Sequence, residues 1–266
     1  MTSLAYTLPT GRLVWADLLK LRKRRGLLVV TGLLTVGTVL IANIVSELLH
    51  LVDPAKHGPA GGVTMLGHLG WTIAALGAVA ATIAGAMAGT ADEDAGVYRE
   101  LVVTGRSRLS LFLSRIPAGL VFVLPFVAGA YAIEAVASVA LAGVHPAPSV
   151  YLLTVSGLWV LLAATVYFLL AYGVACLTGS RAYTIGIVLA VRLALTPLIA
   201  SIAALGVVRE LLPGVALDNL IPAALGDAAR QGPPIGMSMA ATAAVLIVWT
   251  AAAVLVGGWR DTSRDA

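Results

Sequence analysis

DEDAGVYRELVVTGRSRLSLFLSR, residues 92–115, is a polar island between two long apolar runs. Residues 64–91 before it and 116–142 after it each exceed the roughly 20 apolar residues that a helix needs to cross a bilayer. Within the island, residues 93–103 suit a helix of about three turns. Asp92, Glu93 and Asp94 favour its N-terminus electrostatically, and Gly105 can supply a left-handed stop. Val97 and Leu101 share one face at i, i+4, with Tyr98 beside them. A short charged helix held between two spans can pass force from a soluble partner into the membrane.

The bulk composition agrees with a lipid solvent. The 266 residues are 59% hydrophobic and 11% charged, with a mean hydropathy of +0.97, whereas soluble domains carry about 25% charge. The single cysteine, Cys176, lies in an apolar run and excludes a disulfide framework. A net charge of +4 is no nucleic-acid signal here, because the basic residues sit at membrane edges rather than on one folded face. Arginine outnumbers lysine, and Ala, Gly, Val and Leu dominate, a composition that fits a high-GC bacterial genome.

The expected fold is an all-α membrane protein, one transmembrane domain over residues 1–266, with spans near 26–49, 64–91, 111–142, 150–177, 182–208 and 235–257. Residues 12–25 precede the first span as an amphipathic helix. Trp15 supplies part of its apolar face, while Lys20, Arg22, Lys23, Arg24 and Arg25 cluster at one end. Such a helix can lie in the headgroup layer and bind anionic lipid, or simply set orientation. The first span is too long for a signal peptide's apolar region, so it is expected to be retained. In the second span Gly77, Ala81, Gly85 and Gly89 recur every four residues, a stripe that suits an internal helix contact or a dimer contact. Pro117 falls in a first turn, whereas Pro125 and Pro197 should kink their spans. Residues 209–234 mix Leu with four prolines and are too apolar for a solvated loop. A re-entrant or surface-lying outer segment is expected there.

The basic residues gather at one set of span ends, so both termini and the island are expected to face the cytoplasm of a bacterial cell membrane. Two charges fall near the middle of spans. Counted along the helices, Glu134 lies roughly 12 Å below the outer edge and Arg192 roughly 14 Å above the inner one. A lone charge at that depth is costly. The two can pair with each other, find separate local partners, or line a polar translocation surface. The three lysines lack the G-x-x-x-x-G-K-[ST] context of a phosphate-binding loop, so the chain itself is expected to bind no ATP. His50, His57, His68 and His145 lack metal-ligand spacing, and no nucleophile elbow is present. Nothing points to an enzyme acting alone.

The island also carries a resemblance. An amphipathic basic helix, a span, a short turn, a second span and then E-x-x-x-V-x-x-x-L-x-x-x-G-R-S-R, residues 93–108, resembles permease subunits of ATP-binding-cassette exporters of the second exporter type, including bacterial drug-export permeases. The six-span layout extends it over nearly the whole chain. Many members have proline where Gly105 stands and threonine where Val97 stands. The resemblance implies that two permeases, of the same or sister chains, pair and dock on two ATPase subunits. Those subunits would hold ATP and magnesium, and this chain no cofactor. It makes residues 93–103 a cytoplasmic coupling helix, with Val97, Tyr98 and Leu101 as buried anchors and Glu93, Arg99 and Glu100 polar around them. The plainer alternative is a loop helix resting on headgroups. A different class, an ion-coupled secondary transporter or channel using Glu134 and Arg192, stays open beside a membrane anchor or assembly protein.

Overall fold

The computed structural model describes residues 11–94, 107–229 and 235–263. No strand occurs among them. Six helices are long and apolar enough to cross a membrane: Arg25–Val52, Gly62–Asp92, Arg108–Ala140, Val150–Thr178, Arg181–Ser201 and Met239–Ser263, hereafter spans one to six.

Local chemistry sets the ends, which match those expected within two residues for spans two and four and differ by up to seven elsewhere. Ser107 accepts a hydrogen bond from the Ser110 amide (3.1 Å) and starts span three at Arg108 rather than 111. Ser149 caps span four in the same way, and Gly179, at φ +65°, closes it. Ser238 accepts from the Ala241 amide (3.2 Å), so span six starts at Met239 rather than 235. Capping hydroxyls satisfy amides that a helix start leaves without carbonyl partners. Span five is shorter than expected. It ends at Ser201, Ile202 is extended, and a 3-10 stretch, Ala203–Leu211, follows.

Spans one and five each contain one π-helical turn, Leu33–Gly37 and Val191–Leu195. A threonine follows each turn and bonds five residues back, Thr38 Oγ1 to the Leu33 carbonyl (3.1 Å) and Thr196 Oγ1 to the Val191 carbonyl (2.8 Å). In span five the turn precedes Pro197, which has no amide to give to a preceding carbonyl. Span three runs helical through both Pro117 and Pro125.

Spans two and four form the hub and are mostly buried. Small residues bring them together. A Cβ on Gly85 would lie 2.5 Å from the Phe168 carbonyl oxygen, and one on Gly89 would lie 2.5 Å from Ala175 Cβ. Gly77 faces Val127 of span three, and Ala81 is fully buried. This stripe therefore packs inside the chain. Span six docks on span four where Gly173 meets the Ala253 carbonyl and Gly257 meets Gly173. Spans one, five and six turn large apolar side chains outward, among them Ile41, Ile44, Leu198, Val248 and Leu255.

The segment between spans five and six packs onto the bundle end. Its short helix Pro213–Asn219 buries Val215, Ala216 and Leu217. Indole donors fasten it: Trp159 Nε1 gives to the Leu217 carbonyl (2.9 Å) and Trp249 Nε1 to the Leu211 carbonyl (2.7 Å). Asn219 donates to Thr242 Oγ1 (2.8 Å) and the Met237 carbonyl (3.1 Å), tying the segment to the start of span six.

Candidate functional site: a charged clamp where four helices meet

The N-terminal helix is Gly11–Arg22, shorter than the expected 12–25. Arg24 breaks the helix, and Arg25 already belongs to span one. Leu18 and Leu21 are buried against the bundle, while Trp15 stays 54% exposed. The apolar face is thus shared between protein and surroundings. Arg22, Lys23 and Arg25 are exposed, and Arg24 is half-buried. Lys20, expected in the lipid-facing cluster, also makes contacts within the protein. Its ammonium lies 2.9 Å from Asp17 Oδ1 on its own helix and 2.8 Å from Asp92 Oδ1 at the end of span two.

Asp92 is the centre of this cluster. Suited by sequence to the N-terminus of an island helix, Asp92 lies within the helix Gly62–Asp94. Asp92 is 2% exposed, and a buried carboxylate is costly unless it is paired. Two cations compensate. Besides Lys20, Arg115 Nη2 approaches Asp92 Oδ2 at 2.7 Å, and Arg115 is itself buried in span three. Arg115 Nη1 lies 3.9 Å from Asp261 Oδ1 of span six. Ser114 Oγ donates to Asp17 Oδ2 (2.7 Å), closing the ring back to the N-terminal helix. Nearby, Tyr172 OH donates to the Phe112 carbonyl (2.6 Å) and Arg108 Nη1 to the Thr262 carbonyl (3.3 Å). Burial by itself would lower the Lys20 ammonium. Its hydrogen bonds and charge interactions with Asp92 and Asp17 outweigh that and raise it above the ordinary 10.5.

The clamp joins four elements: the N-terminal helix and spans two, three and six. It sits on the two stems that flank residues 95–106. Val97, Tyr98, Arg99, Glu100, Leu101 and Gly105 lie outside the described residues, as does the side chain of Glu93. Sequence reasoning missed Asp17, Asp92, Ser114, Arg115 and Asp261 as partners. The only signal was that Asp92 and Arg115 stand at the facing ends of one helical hairpin.

The two intramembrane charges take separate partners. Glu134 is fully buried and accepts from Asn43 Nδ2 of span one (2.9 Å). The Arg192 guanidinium lies over the Tyr167 ring, 5.3 Å from its centroid, in a cation–π arrangement. Span three faces span one, whereas span five packs on spans two and four, so the two charges have different neighbours. Asn43 was visible in the sequence as a lone amide in an apolar run, but nothing local linked it to Glu134. Among the described residues no group of three or more His, Cys, Asp or Glu side chains is placed to hold a metal.

No protein-family model matches the chain, and no curated protein matches its sequence.

Proposed function

We propose that this chain is the membrane permease subunit of an ATP-binding-cassette exporter in a bacterial cytoplasmic membrane, with both termini in the cytoplasm. The observation that carries the reading is the clamp. Asp92 and Arg115 bind the two stems of the 95–106 stretch to each other, and Lys20 and Asp261 bind them to the N-terminal helix and span six. A push on that stretch would move four helices together instead of bending one loop. Residues 93–103 are the coupling helix in this reading, with Val97, Tyr98 and Leu101 seated in a groove of the ATPase and Arg99 and Glu100 at its rim. Two ATPase subunits bind ATP and magnesium, a second permease of the same or a sister chain completes the path, and this chain catalyses nothing by itself.

The test is co-purification with an ATP-binding-cassette ATPase from the same cells. Leu101→Asp and Tyr98→Asp should abolish it while the permease remains folded. Retained binding by both variants would remove the coupling role. The buried Glu134 carboxyl favours one second reading, an ion-coupled carrier or channel. Proton- or sodium-driven flux through the purified chain without any ATPase would select it.

A further inference from the structure

Span one and span three meet around an amide and a carboxyl. Asn43 is 8% exposed and Glu134 is 0% exposed. The Asn43 amide nitrogen donates to Glu134 Oε2 (2.9 Å) and to the Val39 carbonyl one turn back (3.0 Å). Both amide hydrogens are thereby used. Two oxygens remain, Asn43 Oδ1 and Glu134 Oε1, each buried and without a hydrogen-bond partner among the described residues.

With the carboxyl ionised, both of these oxygens are acceptors and neither can satisfy the other. No lysine or arginine lies within ion-pair distance of Glu134 among the described residues. The titratable and hydroxyl groups one turn away on the same two spans do not help. Tyr131, one turn earlier on span three, spends its hydroxyl on the Leu153 carbonyl and Ser156 Oγ of span four (2.6 Å each). Glu47 stands one turn beyond Asn43 on span one, and its Oε2 is also buried without a partner. Ser138, one turn beyond Glu134, donates to the Ala135 carbonyl (3.0 Å). The pocket is therefore rich in acceptors and short of donors, at a depth where an uncompensated carboxylate is costly.

One proton resolves this. A neutral carboxylic acid carries one donor and one acceptor, and so does the edge of a primary amide. Face to face, they close a ring of two hydrogen bonds: amide N–H to one carboxyl oxygen, carboxyl O–H to the amide oxygen. One of the two is already in place. We propose that Glu134 is a proton-binding site, held as the neutral acid in a two-bond pair with Asn43 that fastens span one to span three. Removing the proton leaves two acceptors opposed and loosens that contact. The inference stands whether or not the chain partners an ATPase.

Infrared spectroscopy of the purified full chain in lipid vesicles reads the proton directly. At neutral pH the wild type should show a neutral carboxylic acid carbonyl band that shifts in deuterated water. Glu134→Gln should lose that band and keep the wild-type thermal stability, since an amide pair can replace the acid–amide pair, while Glu134→Ala should be less stable. Asn43→Leu should move the band to the position of an unbonded acid. A wild-type spectrum without the band, or a band that survives Glu134→Gln, overturns the proposal. Should Glu134→Gln not fold, a band unmoved by Asn43→Leu overturns it equally. Stabilisation of the wild type but not Glu134→Gln by added sodium or potassium would mean a bound cation in place of the proton, and would also overturn it.

Discussion

Breaking the Asp92–Arg115 pair from one side should cost far more than removing it whole. Both side chains are almost fully buried and their charged atoms are 2.7 Å apart. Asp92→Ala takes from the enclosed Arg115 guanidinium its 2.7 Å ionic contact, with the Asp261 carboxylate at 3.9 Å. Arg115→Met leaves the buried Asp92 carboxylate, among the described residues, to Lys20, whose side chain is 41% exposed and correspondingly screened. One-sided removal of a buried pair costs about 3–5 kcal/mol, or between about one hundred and a few thousandfold in the folding equilibrium. The double variant Asp92→Leu with Arg115→Met leaves neither charge unmatched at this contact. Its cost should fall below that of either single variant, because apolar replacement of a buried pair is often close to neutral. The assay is a double-mutant cycle on reversible unfolding in mixed micelles, read by helical circular dichroism. Lys20→Ala is the control, at about 0–1 kcal/mol. Single losses that simply add in the double variant would refute the clamp as a coupled unit.

Close helix packing predicts a sharp contrast between two glycines. Gly173→Ala places a methyl against the Ala253 carbonyl backbone and should destabilise the chain by at least about 1–3 kcal/mol, whereas Gly70→Ala meets nothing within 4 Å and should be neutral in the same unfolding assay. Trp159→Phe removes the indole donor to the Leu217 carbonyl, which keeps the Leu220 amide (3.1 Å), and should cost about 0.5–1.5 kcal/mol and speed hydrogen exchange over Pro213–Asn219. Lys20 has a raised folded value, so its stabilisation is fully present below its unfolded value near 10.5 and is lost as pH climbs through the higher folded value. The stability difference between wild type and Lys20→Gln should therefore be small, level from neutral to mildly alkaline pH, and vanish at strongly alkaline pH.

The spans were legible because bilayer thickness fixes how long an apolar run must be. Their ends were less so. Hydropathy does not register a serine cap, and Ser107 and Ser238 moved two boundaries by three and four residues. Span five ends at Ser201, where Ile202 turns extended, although the apolar run continues to 208 and gives hydropathy no reason to stop. The clamp was illegible for a different reason. Lys20 and Asp92 are 72 residues apart and Ser114 and Asp17 are 97 apart, so no window of sequence contains both partners. A charged residue at the end of an apolar run reads equally well as a loop or as a buried last turn, and only the facing helix decides. Glu134 and Arg192, singled out as charges within spans, do lie in helices long and apolar enough to cross a membrane, yet counting along a helix gives height and not azimuth. Azimuth is what separates Asn43 from Tyr167 as a neighbour.

The π-turn at Leu33–Gly37 has a consequence for how span one must be drawn. Five residues per hydrogen-bonded loop in place of four amounts to one surplus residue, which swings everything beyond it by about 100° relative to an unbroken α-helix. A helical wheel of the whole span would blend two stripes that point different ways. Excising a single residue from 33–37 should let the span anneal into a plain helix that still presents Asn43 to Glu134, whereas a plain helix keeping every residue would turn Asn43 away, so this small irregularity sets the phase by which the far half of the span finds its neighbour.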